Sequence, residues 1–236
     1  MSRIVTRRTN DLSLHDFDQA IAIQPNNAEL YNSRGITYWM KGDTSQAMAD
    51  LNQAIKLEPD NAGLFNSRGS VYADLKQPDR AIADFTQAIK LDRNYANAYF
   101  NRGNVEADDK DQLDKAIADF STAIKLDPSD MDAYVRRAVA YSRKNNTAAA
   151  LADLNTAIGK KPDLERAYVY RGILHLNAGD NVDALADFNK AFQLDPQDAK
   201  ALYGRGLAKR RNGDATAGDA DMAAAKALDP DVEKGM

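Results

Sequence analysis

The chain has 236 residues, of which 44% are hydrophobic and 28% are charged, a mixture that can bury a core and remain soluble. This composition argues against wholesale disorder, and the net charge of −4 disfavours binding to nucleic acid, whose phosphates repel an acidic protein. Because there are no cysteines, disulfides, zinc–thiolate sites and thiol nucleophiles are excluded.

Residues 1–9 carry positive charge but no following apolar segment, which predicts a disordered or partly ordered amino-terminal arm and not an export signal. Nowhere does the sequence approach the roughly 18 consecutive apolar residues of a membrane-spanning helix. We therefore expect a cytoplasmic protein without membrane insertion, unless an export signal has been removed from the chain.

Residues 10–27 predict a single amphipathic helix with Phe17 and Ala20 on its apolar face. This segment matches only the second half of the repeats that follow it, so we describe it as a half repeat. Two interpretations are open: the lone helix caps the first full repeat, or the sequence is a fragment of a longer chain. We favour the fragment.

Prolines reveal an internal period of 34 residues. Each of six prolines follows an apolar helical stretch that it cannot continue, so it marks the end of a helix. Their spacings are 34, 69, 34, 34 and 34 residues, and they are Pro25, Pro59, Pro128, Pro162, Pro196 and Pro230. Arg93 takes the place of the proline missing from the double interval, whereas Pro78 opens a helix, where its missing N–H costs nothing.

Six full repeats follow the half repeat, and residues 233–236 form a short tail. Their bounds are 28–61, 62–95, 96–130, 131–164, 165–198 and 199–232. Apolar residues spaced three and four apart predict two antiparallel helices in each repeat. Gly42, Gly179 and Gly213 mark turns between paired helices, where glycine adopts the left-handed conformation that ends a helix. Because such a pair cannot cover its own apolar face, neighbouring pairs must stack, which predicts one solenoid over residues 10–232.

This pattern resembles the tetratricopeptide repeat (TPR) in its 34-residue form, over about nine tenths of the chain. The resemblance implies an all-α fold, a right-handed superhelical α-solenoid of about 13 helices. It also implies a concave groove, lined by the first helix of each repeat, that binds peptides or protein segments.

The chain departs from the common pattern at two positions in every repeat. Arginine stands just before the small residue of the first helix, and aspartate just before the large residue of the second. These positions are Arg34, Asp50, Arg68, Asp84, Arg102, Asp119, Arg137, Asp153, Arg171, Asp187, Arg205 and Asp221. We hypothesise that they form an arginine–aspartate ladder of ion pairs that joins either the two helices of a repeat or adjacent repeats.

The resemblance places the groove at the second, fifth, ninth, twelfth and thirteenth residues of each repeat. Together with the neighbouring Asn101, the candidate residues are Asn32, Ile36, Trp39, Asn66, Ser70, Phe100, Asn104, Val135, Arg143, Val169, Ile173, Tyr203 and Arg210. The asparagines could donate to and accept from a peptide backbone, or they could be solvated surface residues or turn formers. Trp39 could anchor a ligand or pack against the amino-terminal helix.

A basic cluster near the carboxyl end favours an acidic partner there. It comprises Arg136, Arg137, Arg143, Lys144, Arg166, Lys200, Arg210 and Arg211. Co-chaperones of the family clamp a carboxyl terminus with lysine at the fifth position and asparagine at the ninth. This chain has Asn32 and Ile36 at those positions in its first repeat, which puts that mode of binding in doubt.

Nothing in the sequence predicts catalysis, a cofactor or a metal site. The acidic turn at residues 108–114 lacks the glycine and distal glutamate of a calcium loop. His15 and His175 lie in different repeats, and no nucleophile elbow, phosphate loop, dinucleotide fingerprint or zinc-protease motif is present.

The sequence thus predicts a non-enzymatic scaffold that binds a protein or peptide in its groove. Two alternatives are a self-assembling structural protein, which would form homo-oligomers through its repeat ends, and a targeting domain cut from a larger protein. RNA-binding helical repeats have a similar period, but the acidic balance and the recurring proline argue against them.

Overall fold

The computed structural model of the protein describes residues 14–235, which form helices and turns and no strand. The predicted all-α class is confirmed by this arrangement. The predicted arm at residues 1–9 lies outside the described residues, as do residues 10–13 of the half repeat and the last residue of the tail.

The described residues divide into two compact units, 14–128 and 129–235. In the first unit the helices are α1 (Leu14–Ile23), α2 (Ala28–Met40), α3 (Thr44–Leu57), α4 (Ala62–Asp74), α5 (Pro78–Leu91), α6 (Ala96–Asp108) and α7 (Leu113–Leu126), with a 3₁₀ turn at Lys110–Gln112. In the second unit they are α8 (Met131–Arg143), α9 (Thr147–Lys160), α10 (Glu165–Ala178), α11 (Asn181–Leu194), α12 (Ala199–Arg211) and α13 (Ala215–Leu228), with a 3₁₀ turn at Val232–Gly235. A single solenoid over residues 10–232 stays a prediction.

The helices contact one another in pairs. The pairs are α2 with α3, α4 with α5, α6 with α7, α8 with α9, α10 with α11, and α12 with α13. We call the first member of each pair a first helix and the second member, together with α1, a second helix. Within each unit the first helices also contact their neighbours, α2 with α4, α4 with α6, α8 with α10 and α10 with α12. Their outward surfaces therefore adjoin inside each unit.

Prolines set helix ends as the sequence predicts, and capping side chains stabilise several helix starts. The six periodic prolines lie in the turns that follow second helices, and Pro78 is at the amino terminus of α5. Several first turns are capped by a side-chain oxygen: Asn27 accepts from the backbone N–H groups of Glu29 and Leu30 at distances of 3.1 and 3.3 Å. Such caps satisfy backbone donors that have no partner inside the helix.

The turns between paired helices need a left-handed residue. Gly42, Gly179 and Gly213 have φ values of 85°, 86° and 95°, so the predicted role of these glycines is confirmed. Lys76 and Asn145 adopt φ of 57° and 59° at the matching positions, which shows that the turn imposes this conformation on other residues too. The longer third repeat accommodates its extra residue in the 3₁₀ turn at Lys110–Gln112.

Small and large residues alternate where paired helices meet. Phe85, Phe120 and Phe188 are fully buried, and each faces a first-helix glycine. A Cβ built on Gly204 would overlap the ring of Phe188, so only glycine allows α12 to approach α11 this closely.

Candidate functional site

The arginine–aspartate ladder lies at the seam between the two helices of each pair. In all six repeats the arginine donates from Nε and Nη2 to the two carboxylate oxygens of the aspartate in the same pair, over 2.6–2.9 Å. The arginine side chains are only 13–22% exposed and the aspartates 6–13%. Paired charges at this depth hold the two helices in register, and they leave no charge free for a ligand.

The ladder also reaches the preceding second helix. Nη1 of Arg68 donates to Oδ1 of Asn52 over 2.8 Å, and Nη1 of Arg171 donates to Oδ1 of Asn155 over 2.7 Å. Each of these arginines therefore binds three helices together. The hydrogen bond to Asp84 raises the pKa of Arg68 although burial opposes that effect, so this guanidinium remains charged.

Many of the predicted groove residues lie inside the protein. The structure buries the side chains of Asn66, Ser70, Phe100, Asn101, Val135, Val169 and Tyr203 to between 0% and 8% exposure. Five of these seven stand at the fifth position of a repeat, which therefore packs inward in this chain. In this structure these side chains are not accessible to a ligand.

The two buried asparagines have partners of their own. Nδ2 of Asn101 donates to Oδ1 of Asn66 over 3.0 Å, joining α6 to α4. Asn66 also hydrogen-bonds the phenol of Tyr95, which partly offsets the rise in the pKa of Tyr95 that burial causes. Their amides are thus committed to the interior, because an unpaired amide at this depth would cost free energy.

A partly exposed surface does run along the first helices. It comprises the second, sixth, ninth and thirteenth residues of each repeat, which share one side of a helix because they are spaced four, three and four apart. We call this surface the first-helix face. In the first unit it consists of Glu29, Ser33, Ile36, Met40, Gly63, Ser67, Ser70, Asp74, Asn97, Asn101, Asn104 and Asp108. In the second unit it consists of Asp132, Arg136, Val139, Arg143, Arg166, Tyr170, Ile173, Asn177, Lys200, Gly204, Leu207 and Arg211.

Most members of this face are partly or fully exposed, but Ser70, Asn101 and Gly204 share its periodic positions and are buried. Ile36, Asn104, Ile173 and the adjacent Trp39 are partly buried, and Arg143 is exposed. Asn32, on the same helix as Ile36, and Asn104 each have a buried Oδ1 atom that accepts no hydrogen bond from the described residues. Both oxygens are closed to solvent, so only the exposed part of each side chain can meet a ligand.

Family models of the tetratricopeptide repeat match most of the chain. They match residues 17–49, 40–76, 69–107, 109–145, 132–163 and 165–198. The chain belongs to the tetratricopeptide repeat family.

Solved structures of other tetratricopeptide-type proteins resemble this one. The crystal structure of MamA is 27% identical with a TM-score of 0.63, over 70% of this chain and 96% of that one. A Pseudomonas aeruginosa PilF structure is 17% identical with a TM-score of 0.77, over 87% and 93% of the two chains. YrrB is 22% identical with a TM-score of 0.60, over 77% and 93%. No curated protein matches the chain significantly.

The tetratricopeptide repeats support a role as a protein–protein interaction scaffold, and the structural neighbours share the fold. Repeat scaffolds of this family are in general not enzymes, and none of the matches indicates a catalytic family. None of the helices within residues 14–235 combines the length and the apolar character that crossing a membrane requires.

Two buried or partly buried carboxylates on the first helices were not expected from the sequence. Glu106 is 5% exposed and its Oε2 atom has no hydrogen-bond partner among the described residues. Burial, reinforced by the nearby Asp119, raises its pKa to about 7, although Arg102 and Lys115 act in the opposite direction. Glu106 occupies the repeat position where Tyr38 and Tyr72 pack over ladder arginines, so an acid in a tyrosine position was the available signal.

Glu165 is the second such acid. Burial raises its pKa to about 7, and the charges of Asp198 and Asp195 add to the effect. It stands at the start of α10, where a carboxylate is common because it interacts favourably with the helix dipole, so its burial could not be expected from the sequence.

The remaining polar candidates stay apart. His15 is exposed and hydrogen-bonded to Gln19, whereas His175 lies 3.7 Å from Asp180 and 3.9 Å from Asp187. In the described part of the chain no three histidine, aspartate or glutamate side chains come together as metal ligands would, the acidic turn at residues 108–114 included.

Proposed function

We propose that the protein binds a segment of another protein along its first-helix faces, in the position of the family's concave groove. The observation that carries the proposal is a contrast in variability. Ladder and core residues recur in all six repeats and are buried against each other, whereas the first-helix face changes from repeat to repeat and stays partly exposed. A surface that the fold does not need to keep constant is free to recognise a partner.

The available side chains suit an extended or helical segment. Asn32 and Asn104 offer partly exposed amide side chains, and Ile36 and Ile173 offer apolar contact at the ninth position. We retain Trp39 as an aromatic anchor and Arg143 and Arg210 as exposed cations. YrrB, which shares the fold, is described as a tetratricopeptide protein with an unusual peptide-binding site.

A peptide library provides the test. Peptides selected on the complete chain are measured by fluorescence anisotropy against Ile36→Asp and Ile173→Asp, with Val182→Asp as the control. Val182 is 74% exposed on the second helix α11, so its variant introduces the same charge away from the first-helix face. We expect at least one first-helix variant to bind its peptides about tenfold more weakly, because an unpaired charge in an apolar contact is costly.

Equal binding by all three variants would contradict the proposal. Light scattering of the unmodified chain tests the alternative of self-assembly. A molecular mass that rises with protein concentration and does not change when the selected peptides are added would favour self-assembly over peptide binding. Asn66 and Asn101 are unsuitable probes, because their replacement would break an interior hydrogen bond and lower stability.

A further inference from the structure

The first-helix faces of the two units carry opposite charge. In the first unit the face contains three acidic residues, Glu29, Asp74 and Asp108, and no basic one. In the second unit it contains a single acidic residue and five basic ones: Arg136, Arg143, Arg166, Lys200 and Arg211. The ladder arginines are outside this comparison, because each is neutralised by its aspartate at the seam.

Part of the positive charge in the second unit has no internal partner. The side chains of Arg136 and Lys200 make no hydrogen bond or ion pair with any residue of the described chain, and both residues are partly buried. Arg211 donates from Nη1 to the carbonyl oxygen of Leu176 over 2.6 Å, which fixes its position but leaves its charge uncompensated. Arg166 pairs with Asp132, so this ion pair adds no net charge to the face.

Apolar side chains lie between these cations. Val139, Ile173 and Leu207 stand at the ninth position of α8, α10 and α12, and Tyr170 precedes Ile173 by one turn. All four are partly buried, with part of each side chain open to solvent. Because α8 contacts α10 and α10 contacts α12, these residues belong to adjoining helices. The surface thus combines apolar contact with positive charge at its sides.

We infer that the first-helix face of the second unit binds an acidic protein segment in which apolar residues alternate with Asp or Glu. This inference rests on the proposed function and adds the chemical class of the partner. Acidic side chains would meet Arg136, Lys200 and Arg211, while apolar ones would cover Ile173 and Leu207. A nucleic acid fits less well, because it offers no aliphatic side chains for these residues and the chain as a whole is acidic.

The test uses a labelled peptide of about 16 residues built from Glu and Leu, with Gln-for-Glu and Lys-for-Glu versions and an oligouridylate of similar length as competitors. We expect the complete chain to bind the acidic peptide about tenfold or more tightly than the Gln version. Affinity should fall as salt rises from about 50 mM to about 300 mM, because ions screen exposed charges.

Charge reversal locates the site. The double variant Arg136→Glu with Lys200→Glu should weaken the acidic peptide by about tenfold or more, since two attractions become repulsions. Lys161→Glu with Lys190→Glu is the matched control, because it makes the same change in net charge within the same unit but on no first helix. Circular dichroism of both variants establishes that they fold.

The outcomes separate this inference from the proposed function. If the Gln peptide binds as tightly as the acidic one and Ile173→Asp weakens both, the face binds peptides but its preference for acid is refuted. Equal weakening by the control variant, or tighter binding of oligouridylate that displaces the peptide, also overturns the inference. If peptide binding responds neither to Ile36→Asp nor to Ile173→Asp, the proposed function fails together with the inference.

Discussion

In both units the paired helices meet through the same arginine–aspartate contacts, but the first-helix faces of the two units differ. Between paired helices, Arg68–Asp84 in the first unit and Arg171–Asp187 in the second have the same bidentate geometry and similar burial. On the first-helix faces, serine, asparagine and acidic residues in the first unit give way to arginine, lysine and apolar residues in the second. The contacts between paired helices therefore specify the fold, whereas the first-helix faces are where the repeats differ in chemistry.

Breaking an arginine–aspartate pair of the seam should lower stability more than any other change, and by the same amount in the two units. Arg68→Leu and Arg171→Leu each leave a nearly buried carboxylate without its cation, which should lower the free energy of unfolding by about 3–5 kcal/mol. Urea unfolding followed by circular dichroism measures it.

A double variant sharpens this result. Arg68→Leu combined with Asp84→Leu removes the stranded charge, so it should be more stable than Arg68→Leu alone. If single and double variants unfold at the same urea concentration, the two side chains are not coupled. A loss of stability in only one of the variants Arg68→Leu and Arg171→Leu would show that the ion pairs of the two units are not equivalent.

Replacing the two carboxylates whose pKa values are raised, Glu106 and Glu165, should change stability by an intermediate amount that depends on pH. The folded-state pKa of Glu106 is raised from its usual 4.5 to about 7, so the folded chain holds this proton more tightly than the unfolded chain. The associated stabilisation is complete below about pH 4.5 and is lost as the pH rises through 7. Glu106→Gln should therefore raise the free energy of unfolding at pH 8 by about 1–3 kcal/mol and change it little at pH 4.5.

Glu165→Gln makes the corresponding change in the second unit. Its pKa is raised in the same direction, but its side chain is less buried, so the gain at alkaline pH should have the same sign and be smaller. Thermal unfolding of both variants between pH 4.5 and pH 8 measures the difference. A Glu106→Gln variant whose stability follows the parent's pH profile would show that this carboxylate ionises normally.

Helix caps should give the smallest effect, again equal in the two units. Asp43 accepts from the N–H of Gln46 at the start of α3, and Asn146 accepts from the N–H of Ala149 at the start of α9, over 3.1 and 3.2 Å. Asp43→Ala and Asn146→Ala should each cost about 1 kcal/mol, because one backbone donor loses its partner. Thermal unfolding of the two variants measures these losses. A much larger loss in one variant than in the other would show that α3 and α9 depend differently on their caps.

Local chemistry made the helices and the seam predictable. Proline cannot continue a helix and glycine readily adopts positive φ, so Pro59, Pro78 and Gly42 mark boundaries wherever they occur. The ladder was visible because Arg and Asp recur together in every repeat. What the pattern left open was whether each pair joins two helices of a repeat or adjacent repeats, and the structure shows both for Arg68, which binds Asp84 and Asn52.

The candidate site was less predictable. Positions taken from the family led to Asn66 and Val135, which this chain buries, whereas the sixth-position residue Tyr170 remained unnoticed. A rotation of one residue along a helix turns a side chain by about 100°, which is enough to move it from a surface into a seam. The period of a pattern identifies which residues share a side, but not which side meets a neighbour.

The sequence alone therefore determined the class of fold, the period of the repeat, most helix ends and the residues that form the ladder. These depend on the backbone conformations that single residues allow and on spacings along one helix. Tertiary structure alone decided the burial of Glu106, the pairing of Asn66 with Asn101 and the composition of the first-helix faces. Those features depend on how closely separate helices approach, and on which atoms water can still reach once they have packed.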